Sequence, residues 1–69
     1  MSNMITIATF THSHQVYLSK TLLESEKIDV LLKGELMGAI YPGAIGIELQ
    51  VEEQDAENAL RLLTKYEYI

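Results

Sequence analysis

Residues 45–51 read Ile-Gly-Ile-Glu-Leu-Gln-Val, and no other part of the chain alternates so cleanly. Large apolar side chains take turns with glycine or polar residues, which is the period of two of a β-strand. One side carries Ile45, Ile47, Leu49 and Val51, and the other carries Gly46, Glu48 and Gln50. We therefore predict a strand with one face on a hydrophobic core and the other face turned outward.

A helix is predicted directly after this strand, from about Glu53 to Lys65. Its first residues are acidic, and negative charge is favourable at the positive end of a helix dipole. The apolar residues recur every three or four positions, as in a helix with one buried side. This stripe consists of Ala56, Ala59, Leu60, Leu63 and Tyr66, with Leu62 at its margin. Residues 66–69 are interpreted either as a short fourth strand or as a frayed helix end.

Two further strands are predicted from the other half of the chain. Met4–Phe10 is uncharged, rich in β-branched residues and roughly alternating, and Ile28–Lys33 has Ile28, Val30 and Leu32 on one side. Strict alternation in the first of them gives two sides. One side holds Ile5 and Ile7, and the other holds Met4, Thr6, Ala8 and Phe10.

A first helix is predicted between these two strands, from about Ser13 to Glu26. Thr11 and Ser13 are candidate N-caps, because a hydroxyl there accepts a hydrogen bond from a free amide of the first turn. Ser19 lies inside the apolar stripe and predicts a close approach to a neighbouring element. The stripe itself consists of Val16, Leu18, Leu22 and Leu23.

The element order is therefore β-α-β-β-α within one domain of residues 1–69. Two helices with one apolar stripe each need a sheet face to cover. We predict an α+β fold, a ferredoxin-like split β-α-β plait, with an antiparallel three-stranded sheet and both helices on one face. Strand 3 is expected between strands 1 and 2. The complete plait has a fourth strand beside strand 1, and if residues 66–69 do not pair there, that edge stays open to another chain.

Composition excludes several classes of function. The chain has 69 residues, five Lys and Arg against ten Asp and Glu, a formal net charge of −5 and no Cys. Nucleic acids and anionic lipids are bound by clustered basic residues, so we expect neither as a partner. No apolar run reaches the roughly 18–20 residues of a membrane helix. The N-terminus lacks the pattern of a signal peptide, and we expect a cytoplasmic protein.

The connection between strands 2 and 3 departs from the rest of the chain. All four glycines and the only proline lie between Gly34 and Gly46, and no residue from Leu36 to Ile47 is charged. Loops usually run over the surface and are polar. One interpretation is that Leu36, Met37 and Ile40 fold back onto the core. The other is an exposed apolar patch for a protein partner or small ligand, formed by Leu36, Met37, Ile40, Tyr41, Pro42 and Gly43.

Catalytic and metal-binding patterns are weak in this sequence. His12 and His14 have the only metal-like spacing, but a usable site needs three or four ligands and the chain has no Cys. We expect two exposed imidazoles, with a small metal- or pH-responsive domain as an alternative. The glycine-rich segment matches neither a dinucleotide nor a Walker motif, and no nucleophile stands beside a base. We predict no catalytic residue, metal site or cofactor, and hence no enzyme.

Several stretches together resemble a known family. They are Leu22-Leu-Glu-Ser-Glu-Lys-Ile28, Gly38-Ala-Ile-Tyr-Pro-Gly-Ala-Ile-Gly46, Glu48-Leu-Gln-Val51, and Asp55 with Ala59 and Leu63. The chain resembles, over nearly its full length, the bacterial domain family of unknown function described as putative prokaryotic signal-transducing proteins. Lys27 is a departure, since the family usually has glycine before this isoleucine. The resemblance implies strain at the exit of the first helix.

The resemblance also implies a similarity in fold to the nitrogen-regulatory PII proteins, which are ferredoxin-like and trimeric. In those proteins the long loop between strands 2 and 3 contacts partners and carries a modifiable tyrosine. Tyr41 lies in the equivalent connection of this chain. The PII motifs for ATP and 2-oxoglutarate are not found here, so the likeness is one of fold.

The sequence thus favours a non-enzymatic regulatory or signal-transducing module that contacts a protein partner or small ligand through residues 36–47. A second hypothesis is a self-associating structural domain, a homo-oligomer formed through the open sheet face or the edge of strand 1. On that face we expect Ala8, Phe10 and Leu31 beside Glu48 and Gln50.

Overall fold

The computed structural model describes residues 3–34 and 46–69. Three strands and two helices follow one another along these ranges in the predicted β-α-β-β-α order, with a short 3₁₀ turn before the second helix. The elements are β1 (Met4–Phe10), α1 (Ser13–Ser25), β2 (Val30–Lys33), β3 (Ile47–Glu52), the 3₁₀ turn (Glu53–Asp55) and α2 (Ala56–Lys65).

The sheet has the strand order β1-β3-β2, and both strand pairs are antiparallel. Helix α1 packs on all three strands, α2 packs on β1 and β3, and the helices touch each other. Ile47, Leu49 and Val51 of β3 are buried in one cluster with residues from both helices. Both helices therefore cover the same face, and the predicted α+β fold of ferredoxin-like type is confirmed.

In the part of the chain that the structure describes, one hydrophobic cluster holds the layers together. Its members come from every helix and strand except β2, whose apolar residues Val30 and Leu32 pack against it from the sheet. The buried residues are Phe10, Val16, Leu23, Ile28, Ile47, Leu49, Val51, Ala59 and Leu63. The predicted inward side of the strand is thus confirmed from Ile47 to Val51, while Ile45 lies outside the described residues.

Strand β1 contains a β-bulge that alternation alone does not show. Thr6 lies opposite Gln50 of β3, but Ala8 lies opposite the next residue, Leu49, so Ile7 is an extra residue in the register. At a bulge, two residues of one strand lie opposite a single residue of its partner. The side chains beyond the bulge therefore point to the opposite face from the one that strict alternation predicts. Both Ile7 and Ala8 accordingly pack against the core.

The bulge overturns the predicted face of two residues. Ala8 and Phe10 were expected beside Met4 and Thr6 on the face away from the helices, which we call the open face. Instead Phe10 is buried in the core and Ala8 packs against it. Only Leu31 of the expected apolar group lies on the open face, opposite Gln50, and it is 43% exposed.

Helix α1 buries a narrower side than predicted. Val16, Ser19 and Leu23 are completely buried, whereas Leu18 is 40% exposed, so the placement of Leu18 in the stripe is wrong. Each residue turns the helix by about 100°, which carries Leu18 away from Ser19 toward solvent. The close approach predicted at Ser19 is confirmed. Its hydroxyl donates to the backbone oxygen of Gln15 at 3.0 Å, which satisfies the buried oxygen.

The expected cap residues of α1 are also wrong. His12 occupies the N-cap position with an extended backbone, and its side chain makes no capping hydrogen bond to the helix. The first hydrogen bond of the helix runs from the amide of Val16 to the backbone oxygen of His12, at 3.3 Å. Thr11 instead places its hydroxyl 2.9 Å from the Nδ1 atom of His12.

In α2 the buried positions are Ala59 and Leu63, four residues apart on one side of the helix. Leu60 was predicted to be buried but is 37% exposed, because one helical step rotates it away from Ala59. Tyr66, also predicted inside, is 50% exposed because the helix ends before it. Leu62 lies at the margin, as predicted.

The end of α2 decides between the two interpretations of residues 66–69. Glu67 has a φ of 60°, its amide donates to Thr64 O at 3.1 Å, and the amide of Tyr68 donates to Leu63 O at 2.9 Å. These are the two hydrogen bonds of a Schellman motif, the common end of a helix. The residues therefore close α2 and do not form a strand, while Tyr68 packs against the core.

Helix α1 ends in the same way, with Lys27 at a φ of 63°. The amides of Lys27 and Ile28 donate to Glu24 O and Leu23 O, both at 3.0 Å. Ile28 is therefore held by the helix end, which is why β2 begins only at Val30. A lysine with positive φ bears the strain that the family resemblance implied, since glycine adopts this conformation without a steric penalty.

Lys27→Gly is expected to stabilise the domain by about 0.5–1 kcal/mol, because relief of left-handed strain exceeds the added entropy of the unfolded chain. A gain of this size raises the melting temperature by several degrees in so small a domain. Thermal unfolding followed by circular dichroism measures it. Lys20→Gly, the same substitution inside α1, should lower the melting temperature. A Lys27→Gly protein that melts below the wild type would show that Lys27 is not strained by its positive φ.

Candidate functional site

The predicted contact segment lies between two strand ends that the structure places side by side. Its residues Leu36, Met37, Ile40, Tyr41, Pro42 and Gly43 lie outside the described residues. Lys33 at the end of β2 is opposite Glu48 of β3. The chain therefore leaves the sheet at Gly34 and returns at Gly46 on neighbouring strands, at the end of the sheet where β1 passes into α1.

The structure explains why glycine occupies each of these two ends. Gly34 has a φ of 86°, which L-residues with a side chain rarely adopt. At Gly46 a Cβ atom would lie 2.5 Å from Cγ2 of Thr9 and 3.2 Å from the backbone oxygen of Phe10. The returning chain thus passes directly against the end of β1, and only glycine fits there without displacing Thr9.

Gly46→Ala is expected to destabilise the domain by about 1–3 kcal/mol through overpacking against Thr9. Thr9→Ser removes the Cγ2 methyl group, so the double variant Gly46→Ala with Thr9→Ser should recover part of the loss. Urea unfolding of the four proteins gives the coupling energy. Strictly additive effects would show that the two residues are not in contact.

The two histidines lie at the same end of the sheet, His12 on the connection from β1 to α1 and His14 in the first turn of α1. Both are exposed, as predicted. Among the residues in 3–34 and 46–69, no group of three His, Asp, Glu or Cys side chains is placed to hold a metal ion. The hydroxyl of Thr11 meets the His12 ring in water-exposed surroundings, where a hydrogen bond contributes little.

The open face carries a polar ladder that the sequence did not single out. Thr6 donates from Oγ1 to Oε1 of Glu48 at 2.8 Å and accepts from Nε2 of Gln50 at 2.9 Å. Gln50 faces outward as predicted, yet it is only 8% exposed. A nearly buried amide needs its hydrogen bond, so Thr6 fixes the register of β1 on β3 and makes this part of the face polar.

A second unpredicted feature is a shallow polar depression of about 390 Å³ on α2 and the 3₁₀ turn. It is lined by Gln54, Glu57, Asn58 and Arg61, whose spacing of three and four residues places them on one side of a helix. Arg61 donates to Asn58 and Gln54 donates to Glu52 at 2.9 Å. The spacing was visible in the sequence, but it is equally typical of any solvated helix face.

No helix within the described ranges has the length and apolar character to cross a bilayer.

Comparison with protein families gives a match that covers nearly the whole chain. The family model is described as "putative prokaryotic signal transducing protein" and matches residues 4–67. The chain belongs to this family. The resemblance identified from the sequence is thus confirmed, and the matched range contains all three strands, both helices and the contact segment.

No curated protein and no solved structure matches the chain of this signal-transducing family member. Its similarity to the PII regulators therefore stays a prediction. The three-stranded ferredoxin-like sheet is compatible with that similarity, but such sheets serve many unrelated functions.

Proposed function

We propose that this member of the signal-transducing family is a non-enzymatic regulatory module that contacts a protein partner or small ligand through residues 36–47. The observation that carries the proposal is the run of twelve uncharged residues, Leu36 to Ile47, in a chain with a net charge of −5. Apolar surface with Met and Tyr is typical of binding surfaces.

The placement of the segment's two ends supports this proposal. The ends lie on adjacent, hydrogen-bonded strands, and Gly46 is pressed against β1. Binding residues are commonly presented on connections between rigid elements. The segment has such a rigid base, so a contact made by its residues can be transmitted to the sheet.

The surroundings of the other polar groups favour binding over catalysis. The hydroxyl of Thr6 is hydrogen-bonded to Glu48 and Gln50, and the guanidinium of Arg61 donates a hydrogen bond to Asn58. A catalytic hydroxyl needs a base that is itself oriented by a third group. The exposed pair of Thr11 and His12 lies on a loop in open solvent, and we propose no reaction for it.

Quantitative affinity capture from native bacterial lysate tests the proposal. Ile40→Asp and Tyr41→Asp place a charge in the segment, and Leu18→Asp places the same charge on an exposed leucine of α1. Proteins and metabolites enriched by the wild type should also be enriched by Leu18→Asp and lost with the two segment variants. Circular dichroism confirms that each variant is folded.

The proposal fails if the folded Ile40→Asp and Tyr41→Asp proteins retain every molecule that the wild type enriches. It also fails if Leu18→Asp removes the same molecules, because the contact surface then lies on the helices or acts through net charge.

A further inference from the structure

The outer edge of β1 is free in the part of the chain that the structure describes. Within residues 3–34 and 46–69, β1 pairs only with β3, and residues 66–69, which were candidates for a strand beside it, close α2 instead. In a complete plait a fourth strand covers this edge. The unpaired amides and carbonyls of an edge strand form a template for another strand.

The two edges of the sheet differ in how well they are protected. β2 has only four residues, follows Asp29 and ends in Lys33, and short charged edges resist pairing. β1 has seven residues and no charge, in a chain with a net charge of −5. Two copies with the same net charge repel each other, so a charge-free strand is a favourable place for self-association.

The bulge gives β1 a two-fold symmetric pattern. On the core side lie Ile5 opposite Val51, the bulged pair Ile7 and Ala8, and Phe10. On the open face lie Thr6 and Thr9, opposite Gln50 and Glu48. A two-fold axis at the midpoint of Ile7 and Ala8 would pair Ile5 with Phe10 and Thr6 with Thr9 of a second strand. In each pair, the two side chains lie on the same face of the sheet.

We propose that a second copy of this chain pairs with the free edge of β1, antiparallel, with Ile5 opposite Phe10 of the second copy. Thr6 then lies opposite Thr9, and Ile7 opposite Ala8. Aromatic with β-branched residues and Thr with Thr are favourable cross-strand pairs. The product is a two-fold symmetric dimer with a continuous six-stranded sheet and all four helices on one face.

The proposed pairing involves residues of β1 and none of residues 36–47. Because α2 packs over β1 and β3, the second copy's β1 takes the place of the missing fourth strand. A bulge usually weakens an edge by twisting it. Here it lies at the symmetry axis, so regular pairing is expected on both sides of it.

Sedimentation and nuclear magnetic resonance test the dimer and its register. From micromolar to millimolar concentration, we expect a monomer–dimer equilibrium and slower amide exchange in β1 as dimer forms, with no such change in β2. Ile5 and Phe10 of one copy are ~16 Å apart along the strand. A nuclear Overhauser effect between them in a mixture of labelled and unlabelled protein therefore reports the proposed register.

Two variants add a matched comparison. Ile5→Lys places a charge at the paired edge, and Leu31→Lys places one on the exposed open face of β2. We expect Ile5→Lys to be monomeric and Leu31→Lys to dimerise like the wild type. If Ile5→Lys does not fold, the wild-type exchange and Overhauser data decide.

Three results would overturn the proposal. They are a wild-type monomer at all concentrations, a dimer whose β1 amides exchange as fast as in the monomer, and a dimer that lacks the contact between Ile5 and Phe10. A monomer that instead protects β1 on addition of a peptide would assign the edge to a strand from another protein.

Discussion

Leu63→Ala is expected to leave the domain largely unfolded under conditions where the wild type is native. Leu63 is completely buried, and its carbonyl accepts the amide of Tyr68 at the end of α2. Truncation of such a leucine costs about 2–5 kcal/mol. A core of this size gives about 3–5 kcal/mol of net stability, so the cavity left by one leucine removes most of it.

Leu60→Ala is the matched control, because Leu60 lies on the same helix and is 37% exposed. We expect it to cost less than 1 kcal/mol, about the size of a surface substitution. Urea unfolding followed by circular dichroism compares the two variants. Equal losses would mean that α2 buries the wider stripe predicted from the sequence.

Ser19→Leu is expected to have an effect of similar size, by the opposite mechanism. Ser19 is completely buried in α1, and a larger side chain there must push α1 away from its neighbours. Overpacking of a core costs about 1–3 kcal/mol and occasionally more.

Ser19→Ala separates volume from hydrogen bonding at this position. Among residues 3–34 and 46–69, the hydroxyl bonds only to the carbonyl of Gln15 within its own helix, so its removal should leave stability nearly unchanged. Thermal melting of both variants gives the answer. An alanine variant as unstable as the leucine variant would show that the hydroxyl, and not the small volume, is required.

The sequence predicts the elements of this fold well because each has a local period. Ile47, Leu49 and Val51 alternate strictly, and the structure buries all three. The acidic start and regular stripe of the last helix likewise identified α2. These signals depend on neighbours along the chain, which a sequence contains.

The errors arise where the outcome depends on a partner elsewhere in the chain. The bulge at Ile7 exists only relative to β3, so alternation within β1 placed Phe10 on the wrong face. Leu18 and Leu60 lie at the margins of their stripes, and the neighbouring layer determines which margin is covered. The burial of Gln50 similarly requires Thr6, which is 44 residues away.

The candidate site was predicted from an absence of charge, and that signal specifies a segment without its geometry. The structure adds the strand ends at Gly34 and Gly46 and shows that a side chain at the second would displace Thr9. It also adds two polar features that sequence reasoning missed, the ladder through Thr6 and the depression beside Arg61. Both consist of residue types that are common on any solvated surface.

Chemical-shift mapping of the isotope-labelled wild type, with the molecule enriched by capture added in steps, most directly tests whether residues 36–47 make the functional contact. We predict that amide shifts change between Gly34 and Ile47 and spread from there into β2 and β3. Changes confined to the depression lined by Gln54, Asn58 and Arg61, with the amides of Ile40 and Tyr41 unmoved, would contradict the account.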